Sequence, residues 1–361
     1  MNWNLKSLRF GVLSAALAGL AAEAAPQALA GTVVEALRRP ALAVEHAENS
    51  VLLGVAISEN RRLVAVGERG LVVLSDDAGE SWRQVPVPVS VSLTAVRFAG
   101  SHGVAVGHGG VVLISADGGE SWSLSLNGRR AAELVMLNAK AGKNPELLEY
   151  AQLMLEEGPD KPFLDVALHE DGRILAVGAY GLALVSSDFG KTWTSWMDRL
   201  DNPEGLHLYS VSQRGPVIVI AGERGLLLRS EDRGEHFSAI ETPYAGSFFT
   251  TELLSRDEMI VAGLKGSLLH SRNGGQSWTQ VENHVQASFT ASSLAADGTL
   301  YLADQAGRVM IWARGGLAQT NSKPQPALNA VLPINDQKVV LLSTRGVSTL
   351  RLSEHAEVSL K

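Results

Sequence analysis

Carboxylates at a fixed, repeated spacing are the residues of this sequence with the most evident capacity for chemistry. The pattern Ser-x-Asp-x-Gly-x-x-Trp, known as the Asp box, occurs in five registered copies, with Asn for Asp in one copy and Phe for Trp in another. A carboxylate can act as a general acid or base, but it can also accept backbone N–H groups inside a tight turn. Because turn stabilisation explains all copies together, we predict a structural role for the box residues. They are Asp77, Trp82, Asp117, Trp122, Asp188, Trp193, Asp232, Phe237, Asn273 and Trp278.

A second repeated segment places basic side chains in a turn. It reads Val-Gly-x-x-Gly or a close variant, with five clear copies and two weaker ones. Cations that recur on one face can form a binding patch, and separate solvated turns are the alternative. The candidate partner-binding residues in these turns are Arg69, Arg224, Lys265 and Arg345.

No group of residues in the sequence has the spacing of a catalytic or metal-binding motif. The nine His residues are scattered, and Cys is absent, which excludes thiolate metal sites and disulfides. The segment Gly107-His108-Gly109-Gly110 resembles a phosphate-binding loop, but it is one copy of the repeated turn and no helix follows it. We therefore predict no catalytic residue, no metal and no cofactor.

The spacing of the repeats predicts the fold that must position these residues. The last Gly of the turn recurs at intervals close to 40 residues, for example from Gly225 to Gly266, and one interval, from Gly110 to Gly181, is much longer. This period is typical of a four-stranded propeller blade. Apolar segments before and after each turn read as strands. We predict an all-β, seven-bladed β-propeller of four-stranded antiparallel blades, forming a single domain over residues 41–361.

Closure of the ring requires a strand from one terminus. Counting back from the first inner strand by the spacing seen in complete blades leads to residues 41–46, which we predict to be the outer strand of the last blade. The C-terminal segment Glu357 to Leu360 is the competing candidate.

The long interval contains a helical insertion at residues 127–161, between blades two and three. Asn144 is a good N-cap, Pro145 suits the first helical turn, and Gly158 with Pro159 ends the helix. A shorter helix is expected upstream, over residues 131–137. The insertion joins an outer strand to the next inner strand, which places it on the face that carries the basic turns. Packing on the propeller rim and a lid or partner-binding role are both open.

The N-terminus and the overall charge limit the location and the partners. Residues 1–24 have the order of a signal peptide, with Lys6 and Arg9, then a short apolar run, then small residues, and cleavage as late as residue 30 is possible. The apolar run is too short for a stable membrane span. The net charge of −7 disfavours nucleic acid as a partner. We expect a periplasmic or secreted monomer.

With both motifs placed, the sequence resembles the photosystem II stability/assembly factor family of seven-bladed propellers. The resemblance covers roughly residues 50–350 and rests on Val-Gly-Glu-Arg-Gly followed by Leu-Val-Val-Leu-Ser-Asp-Asp-Ala-Gly-Glu-Ser-Trp at residues 66–82, with analogous stretches in four later repeats. It implies a non-enzymatic, exported protein that binds a membrane-protein client. It also implies an Arg-rich binding face, which Arg69, Arg224 and Arg345 could match.

The helical insertion and the missing sixth and seventh boxes place the sequence nearer the non-phototrophic bacterial branch of that family. For this branch the resemblance implies a client such as an inner-membrane transporter. The alternative is a glycan-binding or sialidase-like propeller, because sialidases also carry Asp boxes. Their Phe/Tyr-Arg-Ile-Pro signature is absent, and Tyr180, Trp196 and Trp312 are the aromatic residues that could stack on a sugar.

Overall fold

The computed structural model describes residues 33–283, 286–320 and 322–352. Within these ranges the strands form seven antiparallel sheets, six with four strands and the last with three, arranged as the blades of a propeller. The predicted seven-bladed fold is confirmed. The predicted signal peptide and the alternative closing strand at Glu357 to Leu360 lie outside the described residues.

Each blade is a simple antiparallel meander running from the central channel to the rim. The strands of blades one to four are β1 Leu52–Ile57, β2 Leu63–Gly67, β3 Val72–Ser75, β4 Arg83–Gln84, β5 Leu93–Ala99, β6 His102–Gly107, β7 Val111–Ser115, β8 Ser123–Leu126, β9 Phe163–Leu168, β10 Ile174–Gly178, β11 Ala183–Ser186, β12 Thr194–Ser195, β13 Leu208–Arg214, β14 Val217–Gly222, β15 Leu227–Ser230 and β16 Ser238–Ala239. Those of blades five to seven are β17 Phe248–Leu253, β18 Met259–Gly263, β19 Leu268–Ser271, β20 Thr279–Gln280, β21 Phe289–Leu294, β22 Leu300–Asp304, β23 Val309–Ala313, β24 Gly316–Gln319, β25 Leu328–Asn335, β26 Lys338–Ser343 and β27 Gly346–Arg351.

The core lies between the blades. The second strand of a blade is buried on both faces, so it reads as a continuous apolar run, as in β2. Successive side chains of a strand point to opposite faces. Val64 therefore packs against blade two, whereas Ala65 packs against blade seven. This burial on both sides joins neighbouring sheets that share no strand.

The turn between the second and third strands needs glycine at its last position. In blade one this turn is Glu68–Gly70, where Arg69 has φ 55° and Gly70 has φ 76°. A Cβ on Gly70 would lie 2.2 Å from the carbonyl oxygen of Val89. Glycine is therefore required here both by the left-handed backbone and by the close approach of another part of the chain.

The two weaker repeats replace the first glycine of the turn with a side chain that stabilises it. In blade six, Oδ1 of Asp304 accepts hydrogen bonds from the backbone N–H groups of Ala306 (2.8 Å) and Arg308 (3.0 Å). In blade seven, Oγ of Ser343 accepts from the N–H of Arg345 (3.1 Å). Side-chain acceptors therefore hold turns that elsewhere depend on two glycines.

The prediction that residues 41–46 form the outer strand of blade seven is wrong. No strand occurs there, and blade seven ends at β27 within the described residues. The backbone N–H of Ala41 donates to the carbonyl of Val87 (3.0 Å), and that of Val44 donates to Oε1 of Gln84 (2.8 Å). These donors are directed to the outer part of blade one, so they cannot form a ladder with β27.

Side-chain contacts join blade seven to blade one instead. Nδ2 of Asn329 donates to the carbonyl of Leu52 (2.9 Å), and Nη2 of Arg61 donates to the carbonyl of Ile334 (3.0 Å). An apolar cluster that includes residues of β1, β2, β25 and β26 fills the space between the two sheets. Packing of this interface closes the ring within the described residues.

The insertion folds into two helices, α1 Gly128–Gly142 and α2 Pro145–Glu157. Asn127 caps α1 by accepting from the N–H of Arg130, and Asn144 caps α2 by accepting from the N–H of Leu147. The first helix is longer than the expected segment at both ends, since it begins at Gly128 and ends at Gly142. Among the described residues, no helix has the length and apolar character needed to cross a membrane.

Candidate partner-binding face

The basic turns and the Asp boxes lie on opposite faces of the propeller. Because each blade is an antiparallel meander, the turns between its second and third strands lie on the same side as the connections to the next blade. We call this side the hairpin face. The boxes join the third strand to the fourth, which places them on the other side, called the box face.

The box carboxylates are engaged in their own turns. In the third copy, Oδ1 of Asp188 accepts from the N–H groups of Lys191 (3.0 Å) and Thr192 (2.9 Å), and from Oγ of Ser186 (2.7 Å). The backbone and hydroxyl bonds from Thr192 lower the pKa of Asp188 to about 2. The same arrangement lowers the pKa of Asp77, mainly through Ser81, and of Asp232, mainly through His236. A carboxylate held in this way stabilises a hairpin.

Each box aromatic packs against the preceding blade. Trp122 and Trp193 are nearly buried, with 8% and 7% of their surface exposed. Trp193 lies in the apolar cluster between blades two and three, and its Nε1 donates to Oγ of Ser125 (2.9 Å). Trp82 contacts the blade-seven cluster, Phe237 the blade-three cluster and Trp278 the blade-four cluster. Each box thus closes a turn and packs an aromatic ring between two blades.

The four candidate cations are exposed on the hairpin face. Arg69, Arg224 and Lys265 occupy the left-handed position of their turns, with φ between 53° and 55°. Nη1 of Arg224 forms an ion pair with Oε2 of Glu204 (2.7 Å). Within the described ranges, Arg69, Lys265 and Arg345 make no ion pair. Three of the four cations are therefore free to meet a partner.

The ring order divides these cations into two pairs. Arg345 and Arg69 lie on blades seven and one, which are neighbours because the ring closes there, and Arg224 and Lys265 lie on blades four and five. The equivalent turn positions of the remaining blades are Gly109, Tyr180 and Ala306. The sequence motif predicted four similar positions, whereas the ring places them in two separate sectors.

The helical insertion shares the hairpin face at blades two and three. A Cβ added to Gly110, in the blade-two turn, would lie 2.5 Å from Cα of Gly128 at the start of α1. The helices bury Ala131, Val135 and Met154 against the propeller. Their exposed surface extends the hairpin face, and their apolar sides pack against the propeller.

A channel of about 770 Å³ passes between the inner strands. On one side Nη2 of Arg97 forms an ion pair with Oδ1 of Asp165 (2.9 Å), and Oδ2 of Asp165 accepts from the backbone N–H of Val211 (3.0 Å). On the other side Oε1 of Glu252 accepts from Oγ of Ser292 (2.9 Å). Polar side chains such as Asp165 thus form hydrogen bonds with backbone groups that the edges of the inner strands leave unpaired.

Sequence analysis missed these channel residues. The signal was present, because Asp165 and Glu252 each interrupt an inner strand that is otherwise apolar or uncharged. Because a charged carboxylate needs water or a hydrogen-bond donor nearby, a carboxylate in such a strand indicates a channel beside it, and both residues line the channel. Burial raises the pKa of Glu252 from its ordinary 4.5 to about 7.

We expect the variant Glu252→Gln to be more stable than the wild type at alkaline pH, by about 1 to 3 kcal/mol. The folded state keeps the proton of Glu252 up to about pH 7, whereas the unfolded chain releases it near pH 4.5. Wild-type stability should therefore fall as the pH rises through this interval. Urea unfolding at several pH values measures the difference, which should vanish below about pH 4.5.

Glu170→Gln is the matched control, since Glu170 is exposed and makes no ion pair within the described residues. It should leave the pH profile of stability unchanged. A Glu252→Gln profile parallel to that of the wild type would contradict the assigned burial.

Comparison with known proteins agrees with this architecture. A family model described as photosynthesis system II assembly factor YCF48 matches residues 35–152, which span blades one and two and most of the insertion. The resemblance inferred from the two motifs is confirmed. Over these residues the chain is similar to the photosystem II assembly factor family. No curated protein matches its sequence.

Solved structures resemble this seven-bladed propeller in fold. YCF48 bound to D1 peptide aligns with a TM-score of 0.62 and 14% identity, covering 88% of this chain and 100% of that one. YCF48 from Cyanidioschyzon merolae aligns with a TM-score of 0.60 and 18% identity, covering 84% and 95%. The WD40 propeller domain of Doa1 aligns with a TM-score of 0.61 and 12% identity, covering 85% and 94%.

Proposed function

We propose that this assembly factor-like propeller is an exported, non-catalytic scaffold that binds a segment of a membrane-protein client on its hairpin face. The observation that carries the proposal is the set of exposed cations at Arg69, Lys265 and Arg345, which are free of ion pairs among the described residues. A protein of the same fold, YCF48, has been solved bound to a D1 peptide. Location in the periplasm and a transporter-type client are parts of this proposal.

The chemistry of the boxes supports a role without catalysis. A general acid or base needs a proton to exchange near neutral pH. The box carboxylates instead accept several hydrogen bonds each, which hold the pKa of Asp77, Asp188 and Asp232 well below the ordinary value. Their repeated role is to fix the sheets that present the hairpin face.

Client capture with a charge-reversed variant tests the proposal. The tagged wild-type protein is incubated with detergent-solubilised native membranes, cross-linked, and the captured membrane protein is identified and quantified. The double variant Arg69→Glu, Arg345→Glu should lower the capture by about tenfold or more, because it replaces two exposed cations on neighbouring blades with carboxylates. Thermal unfolding checks that the variant remains folded.

Lys191→Glu is the matched control, because Lys191 is exposed on the box face. It should capture the client as well as the wild type. Equal capture by the double variant would contradict the assigned face. Turnover of sialosides by the purified protein would contradict a non-catalytic scaffold and favour the glycan-active alternative.

A further inference from the structure

Four aromatic rings from three neighbouring blades lead from the hairpin face into the channel. Tyr180 in the blade-three turn is 47% exposed. Its ring centroid lies 4.8 Å from that of His207, which lies 6.1 Å from that of Tyr209. Tyr209 lies 5.2 Å from Phe249, and both line the channel wall. We call Tyr180, His207, Tyr209 and Phe249 the aromatic sector.

Hydrogen bonds hold the outer half of the sector in place. The backbone N–H of Tyr180 donates to Nδ1 of His207 (2.9 Å), so that nitrogen is an acceptor and the imidazole carries its proton on Nε2. The backbone N–H of His207 donates to Oε2 of Glu223 (3.3 Å). A carboxylate therefore lies beside the rings. Burial, together with the charge of Glu223, raises the pKa of Tyr209.

The surroundings of the sector are acidic. The turns and connections of blades three to five on the hairpin face carry six carboxylates and three cations. Two of those cations are ion-paired, Arg224 with Glu204 and Arg199 with Glu235. The six carboxylates and three cations are Asp198, Asp201, Glu204, Glu223, Glu241 and Glu282, with Arg199, Arg224 and Lys265. The turns and connections of blades six, seven and one, with the N-terminal segment packed on them, are nearly balanced. Their charged residues are Lys323, Arg345, Arg69, Arg38 and Arg39 against Glu35, Glu45, Glu48 and Glu68.

The chain itself uses a ring of this sector to hold a cation. Nζ of Lys161 lies 5.0 Å from the centroid of Tyr180. The faces of aromatic rings attract ammonium and guanidinium groups, and nearby carboxylates strengthen that attraction. Tyr209 and Phe249 present the same chemistry toward the channel, without a cation of the described chain over either ring.

We propose that the aromatic sector receives a Lys or Arg side chain from an extended basic segment of the partner. The inference deepens the proposed function, on which it rests for the identity of the partner as a client, but its recognition chemistry can be tested alone. It assigns opposite charge preferences for the client segment to the two sides of the hairpin face. Blades three to five take the basic part of the segment, and Arg69 and Arg345 remain for its acidic part.

Direct titration with synthetic peptides tests the inference. The probes are three fluorescein-labelled heptapeptides with a Gly/Ser background and two Lys, two norleucine or two Glu residues. Anisotropy is measured with the full-length protein near neutral pH in about 50 mM salt, where charge attraction is weakly screened. The Lys peptide should bind about tenfold more tightly than the norleucine and Glu peptides.

Variants that keep the fold locate the binding site. Tyr209→Leu and Phe249→Leu remove a ring but retain apolar volume, and Leu53 and Leu164 occupy the equivalent positions of blades one and three. Each should weaken Lys-peptide binding about fivefold. Glu223→Gln should weaken it by a similar factor, whereas the matched control Glu45→Gln, on the balanced side, should change it less than about twofold.

Equal affinity for the Lys and norleucine peptides, no binding of the Lys peptide, or unchanged Lys-peptide binding by Tyr209→Leu would each overturn the inference. Failure of the proposed function is distinguishable from this. A wild-type protein that captures no membrane client yet binds the Lys peptide through Tyr209 refutes the client role alone. Client capture without a preference for the Lys peptide refutes the aromatic sector alone.

Discussion

Replacing Trp193 with Ala is expected to lower the free energy of unfolding by about 3 to 5 kcal/mol. The indole is 7% exposed and fills the cluster between blades two and three, where it meets the residues that also support α1 and α2. Removal of a ring of this size leaves a cavity that rigid neighbouring sheets cannot close. Urea unfolding followed by circular dichroism measures the loss.

Two further variants separate packing from hydrogen bonding. Trp193→Phe keeps most of the buried ring but loses the donor to Ser125 and Gly190, so it should cost about 1 to 2 kcal/mol. Trp278→Ala removes a less buried box aromatic and should cost less than Trp193→Ala. Equal losses for all three variants would show that burial between blades does not determine the contribution of a box aromatic.

Replacing Asp304 with Ala is expected to cost about 2 to 4 kcal/mol. Asp304 is fully buried, and its carboxylate accepts from the N–H groups of Ala306 and Arg308 and from Nε of Arg308 (2.9 Å). The Ala variant leaves those donors without an acceptor in a turn that lacks the usual first glycine. Thermal and urea unfolding of the purified variant measure the effect.

Asp304→Asn is the matched control for that substitution. The amide oxygen can still accept from the two backbone N–H groups, but the amide nitrogen cannot accept from Nε of Arg308, so the ion pair and its hydrogen bond are lost. We expect a loss of about 1 to 2 kcal/mol, smaller than that of the Ala variant. A loss as large as that of the Ala variant would show that Asp304 stabilises the fold through its ion pair with Arg308 rather than through the hydrogen bonds of the turn.

The repeated turns and boxes were sufficient to predict the blades, because their signals are local. A strand–turn–strand unit with Gly at the position of positive φ can be recognised within a dozen residues, as in the segment that ends at Gly70. The caps Asn144 and Gly158 likewise marked the bounds of α2 within the insertion. Such features depend on backbone geometry that neighbouring residues determine.

Closure and the binding face could not be predicted in the same way. The spacing from complete blades suggested a strand at residues 41–46, but the donors of that segment are directed to Val87 and Gln84, which lie far away in sequence. The four basic turns looked equivalent, yet Glu204 neutralises Arg224 from a neighbouring connection. Contacts between residues that are distant in sequence depend on how the blades are placed around the ring.

The sequence by itself therefore determined the number of blades, the turn chemistry and the position of the helical insertion, because each of these follows from short-range periodicity and from residues adjacent in the chain. Only the tertiary structure decided which side chains share a surface. It brought Tyr180, His207, Tyr209 and Phe249 together from three blades and aligned Arg97, Asp165 and Glu252 along the channel. The physical reason is that a propeller buries its sheets against each other, so side chains that meet between blades come from residues tens of positions apart in the sequence.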